Sequence, residues 1–165
     1  MELLNEANAQ EAGSAFPGAE DEFLGPRIRC VLFQLDSEIY GVNVKRIKEV
    51  LRVNTIRPVP GTTEEILGVI NVRGVIVTIL DLRRFFGIEP KPFDDLSRII
   101  IFELDEDRMV GVLVDSVMEV KDIPEKRFDT ISSSRDNNRH IQAIAHFNDN
   151  VIILIDIDSM FAEEG

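Results

Sequence analysis

Ile66-Leu-Gly-Val-Ile-Asn-Val-Arg-Gly-Val-Ile-Val-Thr-Ile-Leu-Asp-Leu-Arg83 decides the fold. It holds two apolar runs, Ile66 to Val72 and Val75 to Leu80, with only Arg73-Gly74 between them. Such a two-residue break predicts a tight hairpin, because Gly accepts φ > 0 without steric cost while the β-branched runs on either side stay extended. Arg73 then sits at the tip. The second run scarcely alternates, since only Thr78 interrupts Val75, Ile76, Val77, Ile79 and Leu80, so that strand is expected to be covered on both faces. One face can fill a small barrel while the other packs on a second element. Asp81 is placed to cap a short helix over Leu82 to Phe86, which Gly87 closes in the C′ position.

The same unit occurs twice. With Asp81 set over Asp156, Val151-Ile-Ile-Leu-Ile-Asp156-Ile-Asp-Ser-Met-Phe161 lies beneath Ile76-Val-Thr-Ile-Leu-Asp81-Leu-Arg-Arg-Phe-Phe86, and Asn148-Asp149-Asn150 beneath Arg73-Gly74-Val75. Upstream, Phe33 to Val50 lies over Phe102 to Val120, with one extra residue in the second hairpin. A period of about 70 residues is too long for a solenoid and suits a duplicated small domain, hence two similar barrels packed together.

Composition narrows the function. A chain of 165 residues can bury a substantial core. The net charge of −12, no Trp and one Tyr make nucleic acid and anionic membrane poor partners. No apolar run approaches the ~18 residues of a spanning helix, and the start lacks a cationic signal region, so a cytosolic location without membrane insertion is expected. Residues 1–26 carry six acidic side chains and no basic one, and read as a mobile tail. The single cysteine, Cys30, reads as a small core residue.

In order, strands are expected over Ile28 to Leu35 and Ile39 to Val42, then an amphipathic helical turn over Val44 to Leu51 with Glu49 facing outward. Another strand runs from Leu51 to Val59, its end confined to an edge by Pro58 and Pro60. After a Pro-rich connector from Ile88 to Asp95, strands over Arg98 to Leu104 and Met109 to Val114 precede a counterpart helical turn over Asp115 to Val120. Lys121 to Ile131 resembles the earlier strand and turn, Ser132 to Arg139 is a polar loop, and Ile141 to Phe147 and Val151 to Ile157 complete the second unit. Asp158 or Ser159 would cap a final helical turn.

A catalytic set is hard to assemble from these residues. His140 and His146 lie six residues apart on one expected strand, roughly 20 Å at ~3.3 Å per residue, too far to share a metal. Asp156 and Asp158 could hold a divalent cation from one strand face, which defines a rival reading as a metal-dependent enzyme. Capping explains Asp156 more simply, because the repeat sets it over Asp81. The chain carries no phosphate loop, His-Glu-x-x-His, Gly-x-Ser-x-Gly or cysteine pair. An interaction module without cofactors fits better than an enzyme.

The segments Phe33 to Val50, Ile66 to Arg83 and Val110 to Val117 resemble, in order and spacing, the CheW family of bacterial chemotaxis coupling proteins. The resemblance covers about Arg27 to Phe161, and the pattern Gly-Val-x-Asn-x-Arg-Gly-x-x-x-x-x-x-Asp-Leu-Arg is long and specific. It implies an all-β fold with short helices, built as two similar small five-stranded SH3-like β-barrels packed together. The expected division is a tail over 1–26, a barrel over about 27–95, a second over about 96–161 with the chain ends free to exchange between them, and terminal residues 162–165. It also implies a non-catalytic adaptor that joins the cytoplasmic tips of methyl-accepting chemoreceptors to the regulatory domain of the histidine kinase CheA, or a scaffold of the same family in a pilus, gliding or developmental pathway. The family's receptor-binding positions carry over to Ile47, Glu49, Gly68, Arg73 and Val120, whereas kinase-contact residues are not assigned. Thr78 departs from the Pro of many relatives, and the longer terminal helix of some members and the extra domains of CheV and CheA are not expected.

Overall fold

The structure, a computed structural model, describes residues 25–105, 108–130 and 140–162. The expected tail, apart from its last two residues, and the polar loop over Ser132 to Arg139 lie outside them. Among these residues thirteen regular elements other than 3-10 turns follow in order. They are β1 (Arg27–Leu35), β2 (Glu38–Asn43), β3 (Ile47–Arg52), β4 (Ile66–Val72), β5 (Val75–Asp81), α1 (Leu82–Phe85), β6 (Arg98–Asp105), β7 (Arg108–Val114), β8 (Ser116–Pro124), β9 (Phe128–Thr130), β10 (Ile141–Phe147), β11 (Asn150–Ile155) and α2 (Ile157–Ala162).

The quoted hairpin forms as read. Val72 faces Val75, and Arg73 and Gly74 both take positive φ (50° and 89°), the pattern of a type I′ turn. Its counterpart turns the same way with other residues: Phe147 faces Asn150, and Asn148 and Asp149 have φ of 52° and 65°. Short polar side chains tolerate that region by bonding locally. Both hairpins also shift register at the same place, between Ile66 and Gly68 in one and between Ile141 and Ala143 in the other. Asp81 caps α1 by accepting from Arg83 N, and Gly87 (φ 75°) ends it as Ile88 N donates to Arg83 O at 2.7 Å.

The strands form a six-stranded sheet, β9-β10-β11-β2-β1-β8, and a five-stranded sheet, β3-β6-β7-β5-β4. Each contains one parallel pair, β11 with β2 and β5 with β7, amid antiparallel neighbours. Strand pairing therefore crosses the boundary near residue 95. Hairpin β1-β2 lies between β8 and β11, and hairpin β6-β7 lies between β3 and β5, so the halves exchange their first hairpins. Periodicity specifies which strands are alike; which edges meet is a long-range choice that no local pattern encodes. The expected five strands are met in one sheet, whereas the other gains a sixth from Phe128–Thr130.

Alternate residues of the central strands feed different cores. Val31, Phe33 and Leu35 join Leu80, Ile100, Phe102 and Phe161 in the core between the sheets, while Cys30 and Leu32 face Ala143, Ala145 and Ile152. Ile99 and Ile101 instead meet Val77, Ile79 and Leu113 in a third cluster. A strand with a core on either face has no solvent side to mark with polar residues, which is why the pattern scarcely alternates. The start of β5 departs from that reading: Val75 and Ile76 are exposed.

Two expected helical turns are strands. Only Val44–Arg46 turns, as a 3-10 segment with Asn43 Oδ1 accepting from Lys45 N, after which Ile47–Arg52 alternates with period two and pairs with β6. Asp115 to Val120 is likewise no helix, since β8 begins at Ser116 and pairs with β1. In both cases the open edge of a neighbouring hairpin supplies ladder partners, and tertiary pairing overrides a weak helical spacing. The expected strand from Leu51 to Val59 ends at Arg52, leaving one bridge farther on between Arg57 and Val69. Pro58 has no N–H to continue it. Asp156, rather than Asp158 or Ser159, precedes α2 and accepts from Ser159 N at 3.4 Å.

A candidate docking surface on the five-stranded sheet

Four of the five residues carried over for receptor binding lie on the five-stranded sheet, on or beside its edge strands β3 and β4. Arg57 N donates to Val69 O at 2.9 Å and Val69 N donates to Arg57 O at 2.8 Å, linking the chain beyond β3 to β4. Nearby, the Arg73 guanidinium reaches from the tip to the Glu49 carboxylate. Glu49 is thus half-covered and paired rather than simply facing outward, while the Arg73 side chain stays 72% exposed. An ion pair this open adds little stability, on the order of 0 to 1 kcal/mol, but fixes where the guanidinium stands.

Gly68 has a structural reason for its identity. Its φ is 148°, and a Cβ there would stand 2.0 Å from the Arg57 carbonyl oxygen, so the bridge exists only because this residue has no side chain. Ile47 opens β3 and is partly buried against the core between the sheets. Val120 belongs to the other sheet, on its edge strand β8, and is 57% exposed. In the duplication it matches Val50 of β3, which is also exposed. The structure thus joins Glu49 to Arg73, sets Gly68 beneath the bridge, and puts Val120 on the matching edge of the other sheet.

Sequence reading missed two features. The first is a groove of about 900 Å³ between β3 and the β4-β5 hairpin, lined by Arg52, Arg57 and Arg73 with Ile76 on its wall. Its signal was three arginines spaced through a short span of an acidic chain. The second is the pair of Arg83 and Asp115, bidentate at 2.9 and 2.8 Å and nearly buried. Arg83 also reaches Asp36 at 3.3 Å, and Asp36 N donates to Asp115 at 2.8 Å, so turn β1-β2, helix α1 and the β7-β8 corner are tied together. Burial raises the Asp115 carboxyl, but hydrogen bonds from Arg83 and the Asp36 amide outweigh it and hold it below the usual carboxylate value. Asp81 shifts the other way, because burial outweighs its cap and its arginine neighbours.

The chemical candidates have other partners. Asp156 caps α2, and exposed Asp158 pairs with Arg46 at 3.0 Å. His140 Nδ1 lies 3.0 Å from Ser159 Oγ with its ring against Phe85, and His146 stands on β10. Among the described residues no group of three or more His, Cys, Asp or Glu is placed to hold a metal. Cys30 is fully buried, as expected.

Comparison with known proteins agrees with this architecture. The model of the CheW-like domain matches residues 29–165. The chain is 31% identical over 132 residues to the chemotaxis protein CheW of Thermotoga maritima, covering 79% of this chain and 85% of that one. It is 26% identical over 140 residues to the chemotaxis protein CheW of Klebsiella aerogenes, covering 81% of each. The crystal structure of the scaffolding protein TtCheW from Thermoanaerobacter tengcongensis superposes with a TM-score of 0.76 at 33% identity, covering 82% of this chain and 93% of that one. Duplicated strand order, the Arg-Gly hairpin with its capped helix, and these matches lead to one assignment: the chain belongs to the CheW-like domain family.

Proposed function

We propose that this protein is a non-catalytic chemotaxis adaptor that couples the cytoplasmic tips of methyl-accepting chemoreceptors to the regulatory domain of a CheA-type histidine kinase. Relatives named as chemotaxis proteins and a neighbour named as a scaffolding protein support the adaptor role. Among the described residues no helix is long and apolar enough to cross a membrane, which suits a cytoplasmic protein recruited to receptor arrays. Ile47, Glu49, Gly68, Arg73 and Val120 are the proposed receptor-binding set.

The observation that carries this reading is Arg73. It occupies a left-handed turn position where Asn, Asp or Gly would be easier to hold, and its guanidinium is presented by Glu49 beside exposed Val75 and Ile76. Arginine flanked by apolar surface is a favoured composition for a binding hot spot. Truncation of Arg73 to Ala is expected to leave melting within a few degrees yet weaken binding of a purified receptor-tip fragment by ~1 to 3 kcal/mol, roughly five- to over a hundredfold. Lys should rescue only part, since it keeps the charge and loses the planar fork. Unaltered titration of Arg73→Ala with the fragment would place the contact elsewhere.

A further inference from the structure

The groove between β3 and the β4-β5 hairpin is cationic in an acidic chain. Arg52, Arg57 and Arg73 line it and no carboxylate does. Arg73 is paired with Glu49, whereas among the described residues neither Arg52 nor Arg57 has a carboxylate within ion-pair distance. The duplication shows what is missing. Arg52 stands directly across the ladder from Arg98, and the residues that the repeat sets over that pair are Asp122 and Arg29, an ion pair at 2.8 Å across the matching ladder of the other sheet. One half opposes two arginines where the other joins an arginine to a carboxylate. Like charges opposed across strands are destabilising, and Arg98 turns its guanidinium onto the carbonyls of Asp95 and Ser97 at 2.7 and 2.8 Å instead. The other two arginines differ from the second half in the same direction. The bridge of Arg57 with Val69 is matched there by Asp129 with Ile144, and Arg73 is matched by Asn148.

The backbone is open at the same place. Val69 bonds Arg57 through both its N–H and its C=O, and alternation along β4 turns the backbone groups of Asn71 to that same side, where no described strand lies beyond the bridge. Asn71 stands opposite Ile76 in the hairpin, so these two and Val69 share one face, all three line the groove, and Ile76 is 62% exposed. We propose that the groove docks an extended acidic segment of a partner protein, added along the open edge of β4. Its backbone bonds Asn71, its apolar side chains rest on Val69 and Ile76, and its carboxylates meet the arginines, one of them giving Arg52 the charge that Asp122 gives Arg29. Arg52 and Arg57 lie outside the receptor-binding set, so this docking does not depend on the adaptor role.

The test titrates the isotope-enriched full chain with the peptide Glu-Val-Glu-Ile-Glu, blocked at both ends. The amide signals of Arg52, Asn71, Gly74 and Ile76 are expected to shift while those of β10 stay. Affinity should fall at least about tenfold between about 0.05 M and about 1 M salt, where the Debye length is about 3 Å. Replacing every Glu of the peptide by Gln, or using the Arg52→Gln/Arg57→Gln chain, should each weaken binding at least about fivefold. Arg52→Asp rebuilds the charge order of the other half, and should abolish binding without lowering the melting temperature. Equal binding by the Gln peptide or by these variants, shifts confined to other strands, or a lower melting temperature of Arg52→Asp overturns the proposal. Inorganic phosphate that moves the same signals at lower concentration than the peptide assigns the groove to a phosphate-bearing ligand, and groove signals that move with chain concentration alone assign it to a second copy; either result also overturns it.

Discussion

The six-stranded and five-stranded sheets repeat one strand order, β8-β1-β2-β11-β10-β9 in the first and β3-β6-β7-β5-β4 followed by the Arg57 bridge in the second. They differ where the order ends. In the six-stranded sheet β9 adds as a true strand, with Ala143 opposite Thr130. In the five-stranded sheet the matching position is Gly68, the chain returns only as the Arg57 bridge, and a groove opens beside it. The ion pairs at the helix ends differ as well. Arg83 and Asp115 are nearly buried and bidentate, whereas in the other half Asp158, which the duplication sets over Arg83, has the opposite sign and pairs once with exposed Arg46, one residue past the position that matches Asp115. Duplication thus preserved the hydrophobic frame, and the halves diverged in charge and edge closure, where a binding surface can be built without disturbing the core.

The sharpest way to break this comparison is to put a charge in the shared frame. Ile79 and its counterpart Leu154 are both essentially inaccessible, in the five-stranded and six-stranded interiors respectively. Either residue changed to Asp should cost several kcal/mol and abolish soluble expression. Normal melting of Ile79→Asp would show that the two interiors are not equivalent.

Next come the ion pairs. Removing one partner of a nearly buried pair leaves the other uncompensated, so Arg83→Ala should cost about 3 to 5 kcal/mol. Arg46→Ala breaks an exposed pair and should cost about 0.2 to 1 kcal/mol. Equal losses in urea titrations of the two variants would erase the distinction between the halves.

Matched glycines provide a smaller contrast. A Cβ on Gly111 would meet Ile79 Cδ1 at 2.5 Å, whereas one on Gly41 would meet Ile152 Cγ2 at 3.2 Å. Gly111→Ala should therefore destabilise by about 1 to 3 kcal/mol and Gly41→Ala by less, and calorimetric melting of the two variants would reveal a reversed order if the interiors are packed otherwise.

Acid titration probes the smallest effect. The folded-state value of Asp115 lies below its unfolded value of about 3.9, so its stabilisation is complete above that pH and disappears as pH falls through the lower folded value. Raised Asp81 acts in the opposite sense, its ionised form being the disfavoured one. Asp115→Asn should accordingly flatten the fall of melting temperature below about pH 4. An unchanged slope would assign that fall to other carboxylates.

The amino-acid sequence by itself determined the elements whose causes are local. The I′ hairpin at Arg73-Gly74, the Asp81 cap, the Gly87 stop and the duplication are all legible because backbone sterics and short-range hydrogen bonds act within a few residues. So was Arg73 as a tip residue. Tertiary structure decided what depends on residues far apart in the chain. It exchanged the β1-β2 and β6-β7 hairpins between halves, made edge strands of most of Val44 to Leu51 and Asp115 to Val120, the expected helical turns, and set Arg83 against Asp115 and Arg73 against Glu49. Strand propensity and hydrophobic period are nearly identical in the two copies, so they cannot say which hairpin joins which edge. That choice is made by the fit of whole side-chain layers between the sheets, which exists only once the chain has folded.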